Sequence, residues 1–170
     1  MNIILTSQKG SEAKASAEFK EIALQHGLKR LQIEKSAFDG ILEIELEDPR
    51  AFVSFLRDYV KSEPFRMHFV QRIIPVDAVV DTKLDQIKEA AKLLATQIDQ
   101  HESFKIEIDE RESPYTRREL IDAIADVVDR KVNLEAPDKV LQVEVLGEYT
   151  AMCVARPDEI VSITKLKRSA

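Results

Sequence analysis

The sequence predicts an α+β protein of two units, and three observations lead to this. Over residues 1–78, apolar patterns follow the order β-α-β-β-α-β, which is the ferredoxin-like split βαβ arrangement. Residues 79–170 follow the order α-β-α-β-β, a set too small to hold a large core alone. The 170 residues include four glycines and six prolines, so few breakers interrupt regular elements. We therefore expect an N-terminal ferredoxin-like domain packed on a C-terminal α/β domain.

The elements of the first unit are predicted from their periodicity and their turn residues. Residues 2–6 form an apolar run typical of a buried strand, and helical spacing follows over 11–26. Asp39-Gly40 predicts a hairpin, and Asp48-Pro49 predicts a helix N-cap followed by proline at the first helical position. Further strands are expected at 28–36, 41–46 and 65–76, and a helix with an apolar stripe from Phe52 to Val60.

The second unit begins with a helix over 81–99, where Thr82 and Asp85 resemble a capping box. A strand with alternating side chains is expected at 104–110, because apolar residues there alternate with charged ones. Helical spacing then covers 116–132. Two strands at 139–147 and 148–156 are predicted to meet at Gly147-Glu148, and a last short strand is expected at 160–164.

Composition argues for an ordinary cytoplasmic protein. The apolar N-terminal run is too short for a signal peptide, and no segment reaches the length of a membrane span, so no membrane contact is expected. The formal net charge of −6 is unusual for a nucleic-acid binder, although local patches do the binding. The last residues, ITKLKRSA, carry three cations and no acid.

No catalytic motif is found in the sequence. His26, His68 and His101 are scattered outside metal-binding spacings, and GxSxG, Walker and GxGxxG patterns are absent. Cys153 is the only cysteine, which excludes a disulfide framework and a thiolate metal cluster, and a small packed thiol is expected there. We therefore expect a protein that is not an enzyme and that holds no cofactor and no metal.

The stretch RESPYTRREL, residues 111–120, carries the clearest functional signal. Thr116 and Glu119 form a capping box, so a helix begins here whose free N–H groups and dipole favour an anion. Arg117 and Arg118 stand in its first turn, where each costs the helix about 0.3–1 kcal/mol. One interpretation is a phosphate site. The other is a surface salt bridge of Arg117 or Arg118 with Glu112 or Asp122. Spacing alone leaves both open.

Several of these pieces together resemble the THUMP domain. The resemblance covers 104–154, with a strand ending in Arg111, the Ser-Pro-Tyr turn, a helix, the segment VNLEAPDKV and a hairpin. Residues 72–98 are similar to the segment that leads into the THUMP core, and the ferredoxin-like unit in front also fits the family.

The resemblance implies an RNA-binding function. THUMP domains occur in tRNA methyltransferases, 4-thiouridine synthetases and pseudouridine synthases, where they and the ferredoxin-like unit hold the acceptor stem and 3′-end of tRNA. Since no catalytic domain follows here, the chain is most similar to the THUMP partner of the archaeal and eukaryotic tRNA cytidine acetyltransferase. That likeness implies a protein that presents tRNA to a separate enzyme, which forms 4-acetylcytidine. DNA is not an expected partner.

Carried over residue by residue, the resemblance implies RNA contacts from a set of polar and basic side chains. In the C-terminal unit they are Lys105, Arg111, Ser113, Tyr115, Arg117, Arg118 and Lys131, and near the linker they are Arg66 and Arg72. Tyr115 is expected to stack or pack, and Ser113 to donate to a phosphate. Asn133, Pro137 and Asp138 match the family pattern and are expected to shape the loop.

A second class of function remains open from the sequence. Glu112 beside Arg111, and the general acidity, depart from what a strong RNA binder would show. The chain could instead be an adaptor between proteins, with an acidic surface that docks a basic enzyme and no RNA site of its own. Binding of tRNA by the isolated chain separates the two hypotheses.

Overall fold

A computed structural model describes residues 1–169 and shows two units. Met1–Pro75 and the chain from Asp158 onward form the first unit, and Val76–Pro157 form the second. The α+β class and the βαββαβ order of the first unit are confirmed. Among residues 1–169, no helix has both the length and the apolar character needed to cross a membrane.

The helices and strands follow one another in this order. The first unit holds β1 (Ile3–Ser7), α1 (Glu12–Gln25), β2 (Leu31–Lys35), β3 (Ile41–Leu46), α2 (Pro49–Ser62) and β4 (Val70–Pro75). The second holds β5 (Ala78–Asp81), α3 (Leu84–Leu94), β6 (Ser103–Arg111), α4 (Arg117–Ala125), β7 (Lys131–Val132), β8 (Lys139–Leu146) and β9 (Tyr149–Ala155). The chain ends, again in the first unit, with β10 (Val161–Ser162) and α5 (Ile163–Ser169).

The first unit is an antiparallel sheet in the order β10-β4-β1-β3-β2. Its core lies between this sheet and α1 and α2, where Phe19 and Phe52 meet edge to face with ring centroids 5.3 Å apart. Such a buried aromatic pair adds directional stabilisation to a large buried area. The predicted hairpin at Asp39-Gly40 is also present. Gly40 has φ of 75°, and a Cβ there would lie 2.5 Å from the Ser7 carbonyl oxygen, so only glycine fits.

The C-terminal segment differs from the sequence interpretation, which placed everything after residue 78 in the second unit. Strand β10 pairs with β4, through Val161 opposite Ile73 and Ser162 opposite Arg72. The expected strand at 160–164 is shorter than predicted and continues into α5. A strand of only two residues carries too little pattern to predict which strand it pairs with. The pairing of β10 is decided by the free edge of β4.

The second unit contains a mixed sheet in the order β5-β9-β8-β6-β7. Strand β6 runs parallel to β7 and β8, and the other pairs are antiparallel. A parallel connection needs a crossover, which α4 supplies between β6 and β8. Helices α3 and α4 cover one face of the sheet, over a core that includes Ile87, Phe104, Leu120 and Met152.

Three predictions in the second unit were wrong in detail. Helix α4 ends at Ala125, before the predicted residue 132, and the short strands β5 and β7 were not predicted. The capping box predicted at Thr82 is absent. The N-cap of α3 is Lys83, and the Thr82 hydroxyl lies 2.9 Å from the Thr150 hydroxyl instead. The Thr82 hydroxyl therefore pairs with Thr150 on the neighbouring strand, instead of capping the helix as the local sequence pattern had predicted.

Candidate nucleic-acid interface

The turn between β6 and α4 is held by its own polar groups. Glu112 adopts φ of 51°, in the left-handed region that costs most residues about 1–2 kcal/mol, and this turns the chain away from the sheet. The Ser113 hydroxyl then accepts from the Tyr115 amide at 3.1 Å and donates to the Tyr115 carbonyl at 2.8 Å. Ser113 thus serves the turn, and its predicted donation to a phosphate stays a prediction.

Helix α4 begins with the predicted capping box. The Glu119 amide donates to the Thr116 hydroxyl at 3.1 Å, and the Thr116 amide donates to the Glu119 carboxylate, also at 3.1 Å. The box satisfies two amides at this end. Within residues 1–169, the amides of Arg117 and Arg118 donate to no other group, so they remain open to an acceptor.

Arg117 ties the start of α4 to the sheet. Its guanidinium donates to the Ile108 carbonyl oxygen at 2.7 Å. Strand β7 pairs with β6 only at Ser103 and Phe104, so the carbonyl of Ile108 lies on the part of the β6 edge that β7 leaves uncovered. An uncovered edge is a hazard for unwanted strand pairing, and a charged side chain across it removes that hazard. Arg117 therefore has a structural role at the edge.

Arg118 is an exposed cation at this helix end. Its side chain is 84% exposed, and its Nε lies 3.2 Å from the Asp122 carboxylate one turn along. The salt-bridge interpretation is therefore confirmed for Arg118. A pair of this kind contributes about 0.3–0.5 kcal/mol, which an incoming phosphate can readily replace. The salt bridge and the phosphate site are thus compatible for this residue.

Tyr115 brings the start of α3 next to the start of α4. Its ring packs against the core of the second unit, and its hydroxyl accepts a hydrogen bond from the Leu84 amide at 3.3 Å. This contact satisfies an amide that a cap residue would otherwise meet, because Lys83 offers no side-chain acceptor. Of the two predicted roles, packing is the one observed. Lys83 is exposed at this helix start and was not predicted as a site residue.

Arg111 points away from this cluster. Side chains alternate along β6, so Phe104 and Ile108 face the helices while Arg111 belongs to the opposite face. There its guanidinium donates to the Glu144 carboxylate at 2.9 Å, and it is 24% exposed. The sequence grouped Arg111 with the two arginines of α4, but alternation on the strand separates them.

Glu144 is a buried carboxyl with an unusual pKa. It is 1% exposed, and Gln142 donates to both Glu144 and Asp109, at 2.9 and 3.1 Å. Burial raises the pKa of Glu144 most, the nearby Asp109 carboxylate also raises it, and Arg111 opposes both, so that the pKa lies at about 7. Arg111 therefore faces a partner whose charge changes near neutral pH.

Lys105 and Lys131 lie toward the other end of β6. The Lys105 ammonium is 2.6 Å from the Glu107 carboxylate, and Lys131 is exposed on β7, opposite Ser103. Strand β6 has nine residues, so its ends are about 26 Å apart at 3.3 Å per residue. Lys131 and the arginines of α4 cannot therefore hold one phosphate, and together they would need an extended ligand.

Arg66 and Arg72 belong to the first unit. Arg66 is exposed in the segment between α2 and β4, and Arg72 is half-buried within β4, opposite Thr6 and Ser162. Of the predicted residues, the structure thus brings together Ser113, Tyr115, Arg117 and Arg118 alone. Contact of any of the predicted residues with RNA stays a prediction.

The segment VNLEAPDKV has the role of a shaped loop, as expected. The Asn133 side-chain oxygen accepts from the Glu135 and Ala136 amides at 3.2 and 3.0 Å. The Asp138 carboxylate accepts from the Ser103 amide at 2.8 Å, and these hydrogen bonds with Ser103 lower the pKa of Asp138. The Asn133 amide also donates to the Phe104 carbonyl oxygen at 3.0 Å, so both ends of the loop are attached to the start of β6.

The fold and this helix end define a class: an α/β domain whose mixed sheet presents a capped helix N-terminus with arginines in its first turn. The family model of the THUMP domain matches residues 81–155. This match falls within the second unit and agrees with the resemblance seen in the sequence.

Known proteins of similar sequence and structure extend over both units. The uncharacterized protein MJ0421 of Methanocaldococcus jannaschii is 25% identical over 175 residues, covering all of this chain and 45% of that protein. The crystal structure of PH1313 from Pyrococcus horikoshii matches with a TM-score of 0.69 and 14% identity, covering 95% of this chain and 55% of that one.

A complex of a 4-thiouridine synthetase with RNA and bound ATP matches with a TM-score of 0.60 and 16% identity, covering 92% of this chain and 41% of that one. At these identities the structural matches establish the fold. The chain spans about half the length of these relatives.

Proposed function

We propose that this chain binds tRNA without chemistry of its own and presents the acceptor stem and 3′-end to a separate modification enzyme. The observation that carries the proposal is the start of α4 within a THUMP domain. There a capped helix end leaves two amides open and displays Arg118, 84% exposed, beside them. Amides and a guanidinium around one point are the donors that a phosphate requires.

Binding of this kind would read shape and not sequence. Phosphate contacts fix the position of a nucleic acid and carry no base information, and double-helical RNA is recognised chiefly through its backbone and its 2′-hydroxyls. One arginine supplies little affinity. Lys83 and Lys131 are further exposed cations of the second unit that an extended stem could meet. We therefore expect modest affinity that falls steeply with salt.

The relatives support RNA as the ligand class. A 4-thiouridine synthetase, which shares this fold over 92% of the present chain, forms a complex with RNA. The finer proposal is that the enzyme served is an RNA cytidine acetyltransferase that forms 4-acetylcytidine. It is supported by the sequence resemblance alone.

Binding of labelled tRNA by the full chain at two salt concentrations tests the proposal. Arg118→Ala should weaken binding about tenfold, the value of one charged hydrogen bond, and should lower the slope of log affinity against log salt by about 1. The matched control is Lys20→Ala, which removes an exposed cation of α1 in the first unit. Equal effects of the two variants, or binding that ignores salt, would contradict a phosphate site at α4.

A reconstitution tests the finer proposal. The chain is added to a purified RNA cytidine acetyltransferase with tRNA, and 4-acetylcytidine is measured. We expect the wild-type chain to raise product formation and Arg118→Ala to lose most of that gain. An unchanged rate with the wild-type chain would show that this enzyme is not the one served.

A second candidate function is an adaptor that docks a basic enzyme and has no RNA site of its own. It is favoured by an open pocket of about 550 Å³ in the second unit, which is lined by Asp81, Glu112 and Glu148 with Lys83. Three carboxylates would suit a lysine or arginine of a partner better than a phosphate. The absence of tRNA binding even at low salt, together with capture of a basic enzyme that Glu112→Gln weakens, would favour this function.

A further inference from the structure

We infer that the first unit carries a second RNA contact, a stacking platform for an unpaired nucleotide, formed by the segment from Pro64 to Phe69. This inference rests on the proposed function, since it names a further part of the same ligand. The juxtaposition that carries it is an exposed aromatic side chain, Phe65, on a fastened loop whose other residues contact Lys14 of α1 and Lys167 of α5. The start of α4 plays no part in it.

Phe65 is the most exposed of the large apolar side chains. Its side chain is 83% exposed, in a chain whose other phenylalanines in the first unit are largely packed in the core. A few residues on, Phe69 is half-buried, with the Lys14 ammonium 5.2 Å from its ring centroid. Aromatic faces beside cations are what single-stranded nucleic acids use, because each base offers a face for stacking and each nucleotide a phosphate.

The loop that carries these rings is anchored on both sides. The Glu18 carboxylate of α1 accepts from three successive amides, those of His68, Phe69 and Val70, the last two at 2.9 and 3.0 Å. From α5, the Lys167 ammonium donates to the Met67 carbonyl oxygen. Pre-organisation of this kind lowers the entropy lost on binding. It also directs the Glu18 carboxylate toward the loop backbone.

The surroundings fit a nucleotide better than a protein. A pocket of about 250 Å³ beside the loop is lined by His68, Gln71, Ser11 and Lys167, which offer donors and acceptors for a base edge. Arg66 is exposed within the loop, and α5 carries three cations and no acid. The charge and the polar lining therefore select a single-stranded, phosphate-bearing ligand.

Two RNA hairpins test the inference, one blunt and one with a single-stranded 3′ tail. The chain contains no tryptophan, so Phe65→Trp places a single fluorescent reporter on the platform. We expect the tailed hairpin to quench this fluorescence and the blunt hairpin to leave it unchanged. Equal quenching by both, or none by a tailed hairpin that binds, would overturn the inference.

Affinity provides the second measurement. Phe65→Ala should weaken binding of the tailed hairpin about 5- to 150-fold, the range for loss of one stacked base, and should leave the blunt hairpin within about twofold. Leu24→Ala, which removes another exposed apolar side chain of the first unit, is the matched control and should change neither. Equal affinities of the two variants for the tailed hairpin would overturn the platform.

The two proposals fail in distinguishable ways. Arg118→Ala should weaken both hairpins alike, because it acts through a stem phosphate, whereas Phe65→Ala should act on the tail alone. If binding of the blunt hairpin depends on salt but Phe65→Ala leaves the affinity for the tailed hairpin unchanged, the stacking platform is contradicted while the proposed function is supported. If neither hairpin binds at low salt, both proposals fall.

Discussion

Helices α2 and α4 begin alike and end up with different surfaces. In each, an N-cap side chain accepts from the third helical amide: Asp48 from Ala51 at 3.3 Å, and Thr116 from Glu119 at 3.1 Å. In each, an arginine follows at the second helical position, where the helix dipole disfavours it. Local sequence thus prepares the same unfavourable charge at two places.

The two arginines differ in the partner that the fold brings to them. Arg50 is 31% exposed and lies 3.2 Å from Glu159, which is 109 residues away in sequence. Arg118 is 84% exposed, and its partner Asp122 is in its own helix. A distant acid neutralises the first charge, whereas the second remains accessible. The comparison indicates that a cation at a helix start stays accessible to a ligand only when no long-range partner pairs with it.

The largest expected effect is on stability, from removal of the core side chain beneath α2. Phe52 is 1% exposed and packs on Phe19, so Phe52→Ala should lower the free energy of unfolding by about 3–5 kcal/mol. Denaturation in urea measures this. Leu24→Ala, at an exposed position, should change it by less than about 0.5 kcal/mol. A loss below about 1 kcal/mol for Phe52→Ala would mean that α2 is not held by this pair.

A third arginine, Arg111, has a buried partner, Glu144, whose titration makes the stability of the protein depend on pH. In the folded protein the pKa of Glu144 is about 7, against an ordinary value near 4.5, so the folded state holds a proton that the unfolded state releases between these values. The contribution of Glu144 to the free energy of unfolding is therefore greatest below about pH 4.5 and is lost as the pH rises through about 7. From pH 5 to 8, the wild type should lose up to about 3 kcal/mol more than Glu144→Gln does. Parallel pH curves for the two proteins would contradict the raised pKa.

Removal of either cap tests whether the two helix starts are equivalent. Thr116→Ala and Asp48→Ala should each lower the free energy of unfolding by about 1 kcal/mol, because each leaves one helix amide without an acceptor. Thr116→Ser keeps the hydroxyl and should restore most of the loss. A Thr116→Ser variant as unstable as the alanine variant would show that the methyl group, and not the cap, is what matters.

The smallest expected effects separate the two arginines themselves. Arg50→Ala should lower the free energy of unfolding by about 0.5–1 kcal/mol, since it leaves a half-buried Glu159 without this partner. Arg118→Ala should change it by less than about 0.5 kcal/mol, because its pair is exposed. Thermal melts of the two variants under one condition make the comparison. A larger loss for Arg118→Ala would give that residue a structural role and weaken the case for a binding site.

Elements with a local signature were predictable from the sequence. The hairpin at Gly40, the helix start at Thr116 and the alternation of β6 rest on residues within a few positions of one another. Elements that depend on a distant edge were not. Strands β5 and β7 have four and two residues, and their existence follows from the strand beside which the fold places them. A short strand was expected near β10, but its pairing with β4 was not.

The residues of the candidate site likewise divide into those that local sequence predicted and those that it did not. The sequence pointed to the turn before α4 and to its arginines, and the capping box there is confirmed. It grouped Arg111 with them, and although it named Arg66, it singled out neither Lys83 nor Phe65. Alternation in β6 separates Arg111, while the exposure of Phe65 depends on anchors from α1 and α5 that lie about 50 and 100 residues away along the chain.

By itself, the sequence determined the α+β class, the starts of α2 and α4, the turn at Gly40 and the presence of positive charge at the start of α4. Capping, glycine turns and alternation act between residues a few positions apart, so the chain carries them locally. Only the tertiary structure decided which arginine is engaged by a partner distant in sequence and which remains accessible to solvent. Arg50 meets Glu159, Arg111 meets Glu144 and Arg117 meets the Ile108 carbonyl because the fold brings these groups within hydrogen-bonding distance. No local pattern contains that information.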